Sequence, residues 1–332
     1  MSGSSGICAV TGAAGQIGNV LVRELLARGS RVRALIHHHR PGSLEGLDVE
    51  QMCGDISDQW FLRHAFRDCD VVFHIAGIIS IGRTKSDVLS EVNIEGTRNV
   101  IRACLETGVR RLVFTGSIHA FSEAPAATLV SEELPYDPFH TIGDYGRSKA
   151  RASIEVIKAI DDGLDAVIVC PTAVIGPHDH KPSKVGQFVV DVSRRKPVAY
   201  VSGAYDFVDV RDVVAGHILA CERGRRGESY ILSGERVSVK DMIDSIAEAS
   251  GVRALRIRVP YLLAQAAALF TPFYYNIRNA EPRFTRYTLH TLRSNSFISS
   301  AKARSELGYE PRPVRESVRD AVLWFRDNGY LR

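Results

Sequence analysis

Tyr145 and Lys149 stand four residues apart in the run Tyr145-Gly146-Arg147-Ser148-Lys149. Four residues is about one helical turn, so on a helix the phenol and the ammonium project from one face toward a common point. A tyrosine held that way trades a proton with an alcohol or a carbonyl. Its ordinary pKa is about 10, so it needs a neighbouring cation to act as a base near neutral pH. The bland alternative is an ordinary pair on a helix surface.

Far upstream, Gly12-Ala13-Ala14-Gly15-Gln16-Ile17-Gly18 follows a short apolar run at 7–10 and opens a segment of helical period at 20–27. Glycines in a strand-to-helix turn permit a tight bend and let backbone N–H groups approach a pyrophosphate, with Gln16 and Ile17 offering the amides. In dinucleotide folds an acid about 20 residues further on usually accepts the ribose 2′-hydroxyl of NAD. The corresponding stretch here is Ile36-His37-His38-His39-Arg40, and no Asp or Glu occurs between Ser30 and Leu44. A basic site of this kind favours the 2′-phosphate of NADP, with His37, His38 and Arg40 as contacts; NAD is the alternative, and a solvated basic loop is the plain reading. Neither the consecutive histidines nor His178-Asp179-His180 can converge on one ion without strain, and no metal is expected.

These groups need a scaffold. Apolar, β-branched runs alternate with helix-period segments at 7–10, 20–27, 32–36, 70–75, 88–107 and 111–115, which implies βαβ units and a parallel sheet covered on both faces. A strand at 166–170 runs into Pro171-Thr172 and then Gly176-Pro177, where we place the main boundary. The expected fold is α/β: a Rossmann, doubly wound parallel sheet from 1–175 plus about 206–228, and a smaller, discontinuous α+β substrate domain from 176–205 and 229–332. Helices are expected in the second part at 239–250, 260–270 and 314–327.

The 332 residues are 45% hydrophobic and 24% charged, in keeping with an ordinary globular protein, and a net charge of +4 makes no case for nucleic acid. Cys8, Cys53, Cys69, Cys104, Cys170 and Cys221 form no Cys-x-x-Cys pair and read as reduced thiols of a cytosolic protein. Residues 1–6 lack the basic-then-apolar layout of a secretory leader, and none is expected. The apolar stretch 259–277 is interrupted by Pro260, Gln265 and Pro272, so no run reaches the roughly 18 residues a spanning helix needs.

The chain resembles the extended short-chain dehydrogenase/reductases of the NAD-dependent epimerase/dehydratase superfamily, above all the branch of dihydroflavonol reductases and 3β-hydroxysteroid dehydrogenases. Thr11 to Gly18 and the Tyr145/Lys149 pair carry the resemblance, together with Gly54-Asp55, His74-Ile75-Ala76-Gly77 and Asn93-Ile94-Glu95-Gly96-Thr97-Arg98-Asn99-Val100. So do Phe114-Thr115-Gly116-Ser117, Pro171-Thr172-Ala173-Val174-Ile175-Gly176-Pro177, Phe207-Val208-Asp209-Val210-Arg211-Asp212 and Leu307-Gly308-Tyr309-Glu310-Pro311.

The resemblance implies that Ser117 binds the substrate oxygen, Tyr145 moves its proton, and Lys149 holds the nicotinamide ribose while its charge favours the tyrosinate. It implies Asn93 as an anchor of its helix or of a relay water, and Asp55 as acceptor for the adenine amino group with Ile56 beside it; capping a helix is the plain role for Asp55. Ala76, Gly77, Thr115, Pro171 and Thr172 would line the cofactor groove. A homodimer is implied through helices at 88–107 and 145–160, with Val100, Ile101, Ala150, Ile154 and Ile157 as contacts where they do not face the subunit's own sheet.

Dehydratases of the superfamily carry Thr-Asp-Glu where this chain has Ser117-Ile118-His119-Ala120, and epimerases usually have the acid missing near His37. A reductase or dehydrogenase is therefore expected ahead of an NAD-dependent sugar epimerase. A non-catalytic NADP-sensing protein, in which the tyrosine and lysine are typically lost, stands third. Ile78, Ile79, His119, Phe121, Phe188 and Tyr205 are candidates for an apolar substrate pocket, with 261–270 as wall or lid. Arg278, Arg283, Arg286 and Arg293 are either surface cations or a receiver for an anionic substrate group.

Overall fold

The computed structural model describes residues 6–37, 43–79, 86–124, 128–267, 286–293 and 296–331. In chain order the first part is β1 (Ile7–Thr11), α1 (Gln16–Ala27), β2 (Arg31–Ile36), β3 (Glu50–Cys53), α2 (Gln59–Phe66), β4 (Cys69–His74) and α3 (Ser86–Leu89). A π-type turn (Ser90–Glu95) leads into α4 (Gly96–Thr107), followed by β5 (Arg111–Thr115), a 3₁₀ turn (Ile118–Ala120), α5 (Gly143–Asp161) and β6 (Ala166–Pro171). Then come β7 (Ala173–Ile175), α6 (Lys184–Ser193), β8 (Val198–Tyr200), β9 (Ala204–Asp209), α7 (Val210–Arg223), β10 (Ser229–Leu232), β11 (Glu235–Ser238) and α8 (Val239–Ser250). The described remainder is β12 (Arg256–Arg258), a helix at 261–267 (α9), α10 (Arg286–Arg293), a π-type turn (Ala303–Leu307) and α11 (Val314–Asp327).

The central sheet has seven strands in the order β10-β6-β5-β4-β1-β2-β3, and every pairing is parallel. Side-chain alternation divides each strand between two cores. In β1, Cys8 and Val10 face the core under α1 and α7, whereas Ile7 and Ala9 face the one under α2, α4 and α5. The strand order reverses between β1 and β4, which opens a crevice at their carboxyl ends.

Beyond the central sheet lie a three-stranded sheet (β11-β9-β7), the pair β12-β8, and a third core formed largely by α6, α8 and α11. Two boundaries differ from the sequence expectation. Ser229–Leu232 was placed with the second part, yet it forms the edge strand of the central sheet, in register with β6, with Tyr230, Ile231 and Leu232 fully buried. Residues 206–210 are expected at the first part's edge, yet 206–209 lie in β9 of the small sheet, and of that stretch only α7 returns to pack on α1 and the central sheet. Leu307 and Tyr309, near the chain's end, also bury into the first core.

Among the described residues no helix is long and apolar enough to cross a membrane. The six cysteines are free thiols, five of them buried. On the helices expected to meet a second copy, Val100, Ile101 and Ala150 are spent inside the subunit, whereas Ile157 is 40% exposed and Ile154 is half-buried.

Candidate active site

Gly12 takes φ +69°, and a Cβ on it would sit 2.8 Å from the Ala76 nitrogen, so the β1–α1 turn and the segment after β4 touch backbone to backbone. A Cβ on Gly18 would run into the Gly12 carbonyl. Gly15 begins α1 with no side-chain cap and no acid in the first turn, which leaves the amide ends of Gln16, Ile17 and Gly18 for an anion. The Gln16 side chain reaches across to donate to the carbonyls of Gly176 and Pro177, at 2.9 and 3.2 Å. The crevice therefore fits a dinucleotide at backbone level.

Its floor is fixed by a buried relay. The Thr11 hydroxyl accepts from the Ile75 and Ala76 amides, both at 3.1 Å, and so donates to His74 Nδ1 at 2.8 Å. His74 Nε2 then donates to Thr97 Oγ1 at 3.1 Å, and Thr97 donates to the Asn93 carbonyl at 2.7 Å. Burial, with Lys149 adding to it, pushes the His74 imidazole down to about 3, so it stays neutral, as the relay requires.

At the adenosine end, His37 Nε2 lies 2.7 Å from Asp55 Oδ2, both side chains being substantially exposed. Asp55 also accepts from the Ser57 amide and sits below the usual carboxylate range, chiefly through that bond. It caps no helix, because Asp58 caps α2 through the amides of Trp60 and Phe61. Ile56 packs between Gly96 and the second core, and its carbonyl accepts from Asn99. His38 and Arg40 lie outside the described residues.

The candidate reactive groups Ser117 and Tyr145 meet where α5 touches the 3₁₀ turn. Gly146 permits that approach, since a Cβ there would stand 2.6 Å from the His119 carbonyl. Tyr145 is buried and hydrogen-bonded to the Ser117 side chain, and its ring lies edge-on to that of His119, with centroids 6.3 Å apart. Ser117 Oγ also accepts from the His119 amide. Burial pushes the phenol up to about 12, the Ser117 bond opposes this, and the nearby Cys170 thiol adds to it. Lys149 plays no part in that balance. Its Nζ donates to the Thr115 carbonyl at 2.8 Å, lies 5.0 Å from the Phe114 ring centre, and is drawn down to about 8 by its own burial.

Asn93, expected among the catalytic groups, is consumed by the protein. Its Oδ1 accepts from the Ile78 amide at 2.8 Å, while Nδ2 donates to the Ile78 carbonyl at 3.0 Å and to Ser148 Oγ at 2.9 Å. Both donors are therefore used, and the residue positions rather than reacts. The π-type turn that carries it is a local departure of the kind often found beside functional sites. Gly77 opens onto this corner, since a Cβ there would lie 3.1 Å from Asn93 Oδ1 and 3.3 Å from Lys149 Nζ. Thr115 turns its hydroxyl away from the groove to His217 Nε2, at 2.8 Å. Pro171, the buried end of β6, leads directly to Thr172.

A cavity of about 110 Å³ has His119, Phe121, Thr172, Tyr205, Asp206 and Thr291 in its wall, and His119 stands between it and Tyr145 as a ring neighbour of the phenol. Of the expected substrate residues, Ile78 is not among those that line this cavity, and Phe188 lies on α6 packed against the third core. Thr172 donates to Asp206 Oδ1 at 2.7 Å, and burial raises the Asp206 carboxyl despite that bond and one from the Gly234 amide. Sequence reasoning passed over Asp206, Ser148 and the Thr11–His74–Thr97 relay. Ser148 alone had a local signal, a hydroxyl between Tyr145 and Lys149. Arg278 and Arg283 lie outside the described residues; Arg286 and Arg293 bound α10. Among the described residues no group of three metal-binding side chains converges.

The family model of the NAD dependent epimerase/dehydratase family matches residues 8–233. Sterol demethylase protein B of Methylococcus capsulatus is 37% identical over 331 residues, covering 97% of this chain and 99% of its own. A putative dihydroflavonol 4-reductase of Synechocystis is 32% identical, over 97% of this chain and 95% of its own. The crystal structure of gox2253 superposes with a TM-score of 0.87 at 35% identity, covering 98% of this chain and 99% of that one. With the glycine turn, the switch-point crevice and the Ser117, Tyr145 and Lys149 cluster in one place, the chain belongs to the NAD dependent epimerase/dehydratase family.

Proposed function

We propose that this protein is an NADP(H)-dependent oxidoreductase that interconverts a carbonyl and an alcohol on a small substrate with a hydrophobic or aromatic body. The observation that carries the reading is the buried phenol of Tyr145, bonded to Ser117 and raised to about 12, whose ring neighbour His119 lines a cavity together with Phe121 and Tyr205. A phenol in that range is protonated at neutral pH and serves as a proton donor to a carbonyl oxygen. When bound, the nicotinamide supplies or takes up the hydride.

Ser117 and Tyr145 both address the substrate oxygen: Ser117 donates a hydrogen bond to it, and Tyr145 passes its proton to it as the alcohol forms. Lys149, cationic at neutral pH with its pKa near 8, lies at the Gly77 opening, where it would meet the ribose. The cavity's charge supports a neutral substrate. Among its described lining residues are the carboxylates Glu123 and Asp206 and no lysine or arginine, a poor setting for a sugar diphosphate. One relative is named for a reductase and another for a sterol, which agrees with a carbonyl on an apolar body.

NADP is favoured by the acid-free stretch between Ser30 and Leu44. The test measures dissociation constants for NADPH and NADH by nicotinamide fluorescence, then NADPH oxidation across a panel of aldehydes and ketones. Tighter NADPH binding with turnover on apolar ketones is expected. A purified protein carrying non-exchanging NAD and giving no net turnover would overturn the reading in favour of an epimerase.

A further inference from the structure

We propose that Asp206 is a specificity-determining residue of the substrate cavity, and that it receives a hydroxyl group which the substrate carries besides its reacting oxygen. The carboxyl stands on the middle strand of the three-stranded sheet, a setting that disfavours aspartate, and it is only 6% exposed. A buried charge is ordinarily paired. The nearest partner by register is Arg236, directly opposite on β11, yet that guanidinium donates to Ser296 Oγ at 2.7 Å and lies over the Phe297 ring. Among the described residues no lysine, arginine or histidine pairs with Asp206. Glu123, the other carboxylate of the cavity wall, has His290 at 3.4 Å.

The bonds that Asp206 does make use one of its oxygens. Thr172 Oγ1 donates to Oδ1 at 2.7 Å, and the Gly234 amide donates to the same oxygen at 2.9 Å. They tie the residue after β6 to the turn between β10 and β11, a task for which an asparagine carbonyl would serve as well. Among the described residues nothing donates to Oδ2. On the wall of a cavity, an acceptor left over in this way gains its bond from the ligand. A hydroxyl suits it better than an ammonium. Burial raises the carboxyl, and a hydroxyl donates to its charged form and accepts from its neutral form, whereas an ammonium only donates. Phe121, Val130, Ile142 and Ile298 give the rest of a neutral body an apolar wall. That the hydroxyl belongs to a substrate rests on the proposed reaction; the cavity's preference for a hydroxyl does not.

Calorimetric titration of the whole protein tests this, with the cofactor present in its oxidised form so that no ketone is reduced. The probes are acetophenone and cyclohexanone, each against its ring-hydroxylated isomers. At least one hydroxylated isomer should bind at least about tenfold more tightly than its parent. Asp206→Asn keeps an acceptor for Thr172 and Gly234 but turns an N–H toward the ligand, and it should abolish that preference with melting temperature and cofactor affinity kept. Asp206→Ser gives a second reading should the asparagine variant fold poorly, and it should lose the preference likewise. Thr172→Ala cuts the tie but leaves Oδ2 in place, so the preference should survive. Its loss there to the same extent as in Asp206→Asn would make Asp206 a structural tie and overturn the proposal. So would parents bound as well as every hydroxylated isomer, no binding of any probe, or an aminocyclohexanone bound more tightly than its hydroxy counterpart. A lack of NADPH turnover on these ketones would instead count against the proposed reaction and leave the binding preference standing.

Discussion

Asn93 Nδ2 donates to Ser148 Oγ at 2.9 Å, and Ser148 donates in turn to the Tyr145 carbonyl at 2.8 Å. The strap after β4 is thereby tied through one amide to the turn of α5 that carries the Tyr145 phenol. Asn93→Ala leaves the Ile78 amide and carbonyl without their partner, so a stability loss of about 2 to 3 kcal/mol is expected. Urea unfolding gives that number. Because Tyr145 loses its brace, kcat should fall more than cofactor affinity, and equal losses in both would contradict a positioning role. Ser148→Ala removes its bonds to Asn93 and to the Tyr145 carbonyl but leaves the Ile78 pair intact, and should cost about 1 to 2 kcal/mol.

Removing the hydroxyl alone is the sharper test of the chemistry. Tyr145→Phe preserves the ring that packs beside His119, and kcat should drop by roughly 10²-fold or more with the NADPH dissociation constant nearly unchanged. Steady-state rates and fluorescence titration measure the two sides. A variant that keeps about a tenth of wild-type kcat would mean that the proton comes from elsewhere.

Lys149 ties stability to pH. Its folded pKa, about 8, lies below its ordinary value of 10.5 because burial disfavours the charge. Between those two values the unfolded chain binds more protons than the folded one, so this residue's destabilising effect is full below about pH 8 and fades as pH rises toward 10.5. Lys149→Met should thus gain stability relative to wild type near neutral pH, by about 3 kcal/mol at most before the lost Thr115 bond is subtracted. That difference should shrink on raising pH through this window. Urea midpoints of both proteins across the range check it, and a difference that stays constant would show that the ammonium is not desolvated.

The exposed side of α5 bears on assembly. Ile157 is exposed and Ile154 half-buried, whereas Val100, Ile101 and Ala150 are committed to the interior. A homodimer through the α4 and α5 faces is expected at micromolar concentration by light scattering, and Ile157→Glu should shift it toward monomer without lowering the melting temperature of the subunit. A monomeric wild type would reject the arrangement.

The parts of this molecule that are local in sequence were legible there. The turn from Gly12 to Gly18 and the Tyr145/Lys149 pair announce themselves because strand, turn and helix are contiguous and the spacing is one helical turn. The alternation of apolar runs likewise gave the parallel sheet. What escaped depends on distant partners. A four-residue run such as Ser229–Leu232 looks the same in either sheet, and only its register with β6 assigns it. The Asn93 amide reads as a relay or an anchor until Ile78 and Ser148 are seen around it. Phe188 and Tyr205 are both plausible pocket aromatics by composition, yet α6 turns Phe188 toward its own core while β9 places Tyr205 on the cavity wall.

Gln16 gives the fold a mechanical property of its own. Its side chain begins at the mouth of α1 and ends on the carbonyls of Gly176 and Pro177, where the chain leaves β7 of the three-stranded sheet. Gly176 stands there at φ +143°, pressed so close to Val210 that a Cβ would be 2.7 Å from its Cγ1. Any separation of the turn at 176–177 from the glycine turn must first release both of these bonds. Gln16 is thus a latch across the seam, joining the start of α1 to the first turn of chain beyond β7.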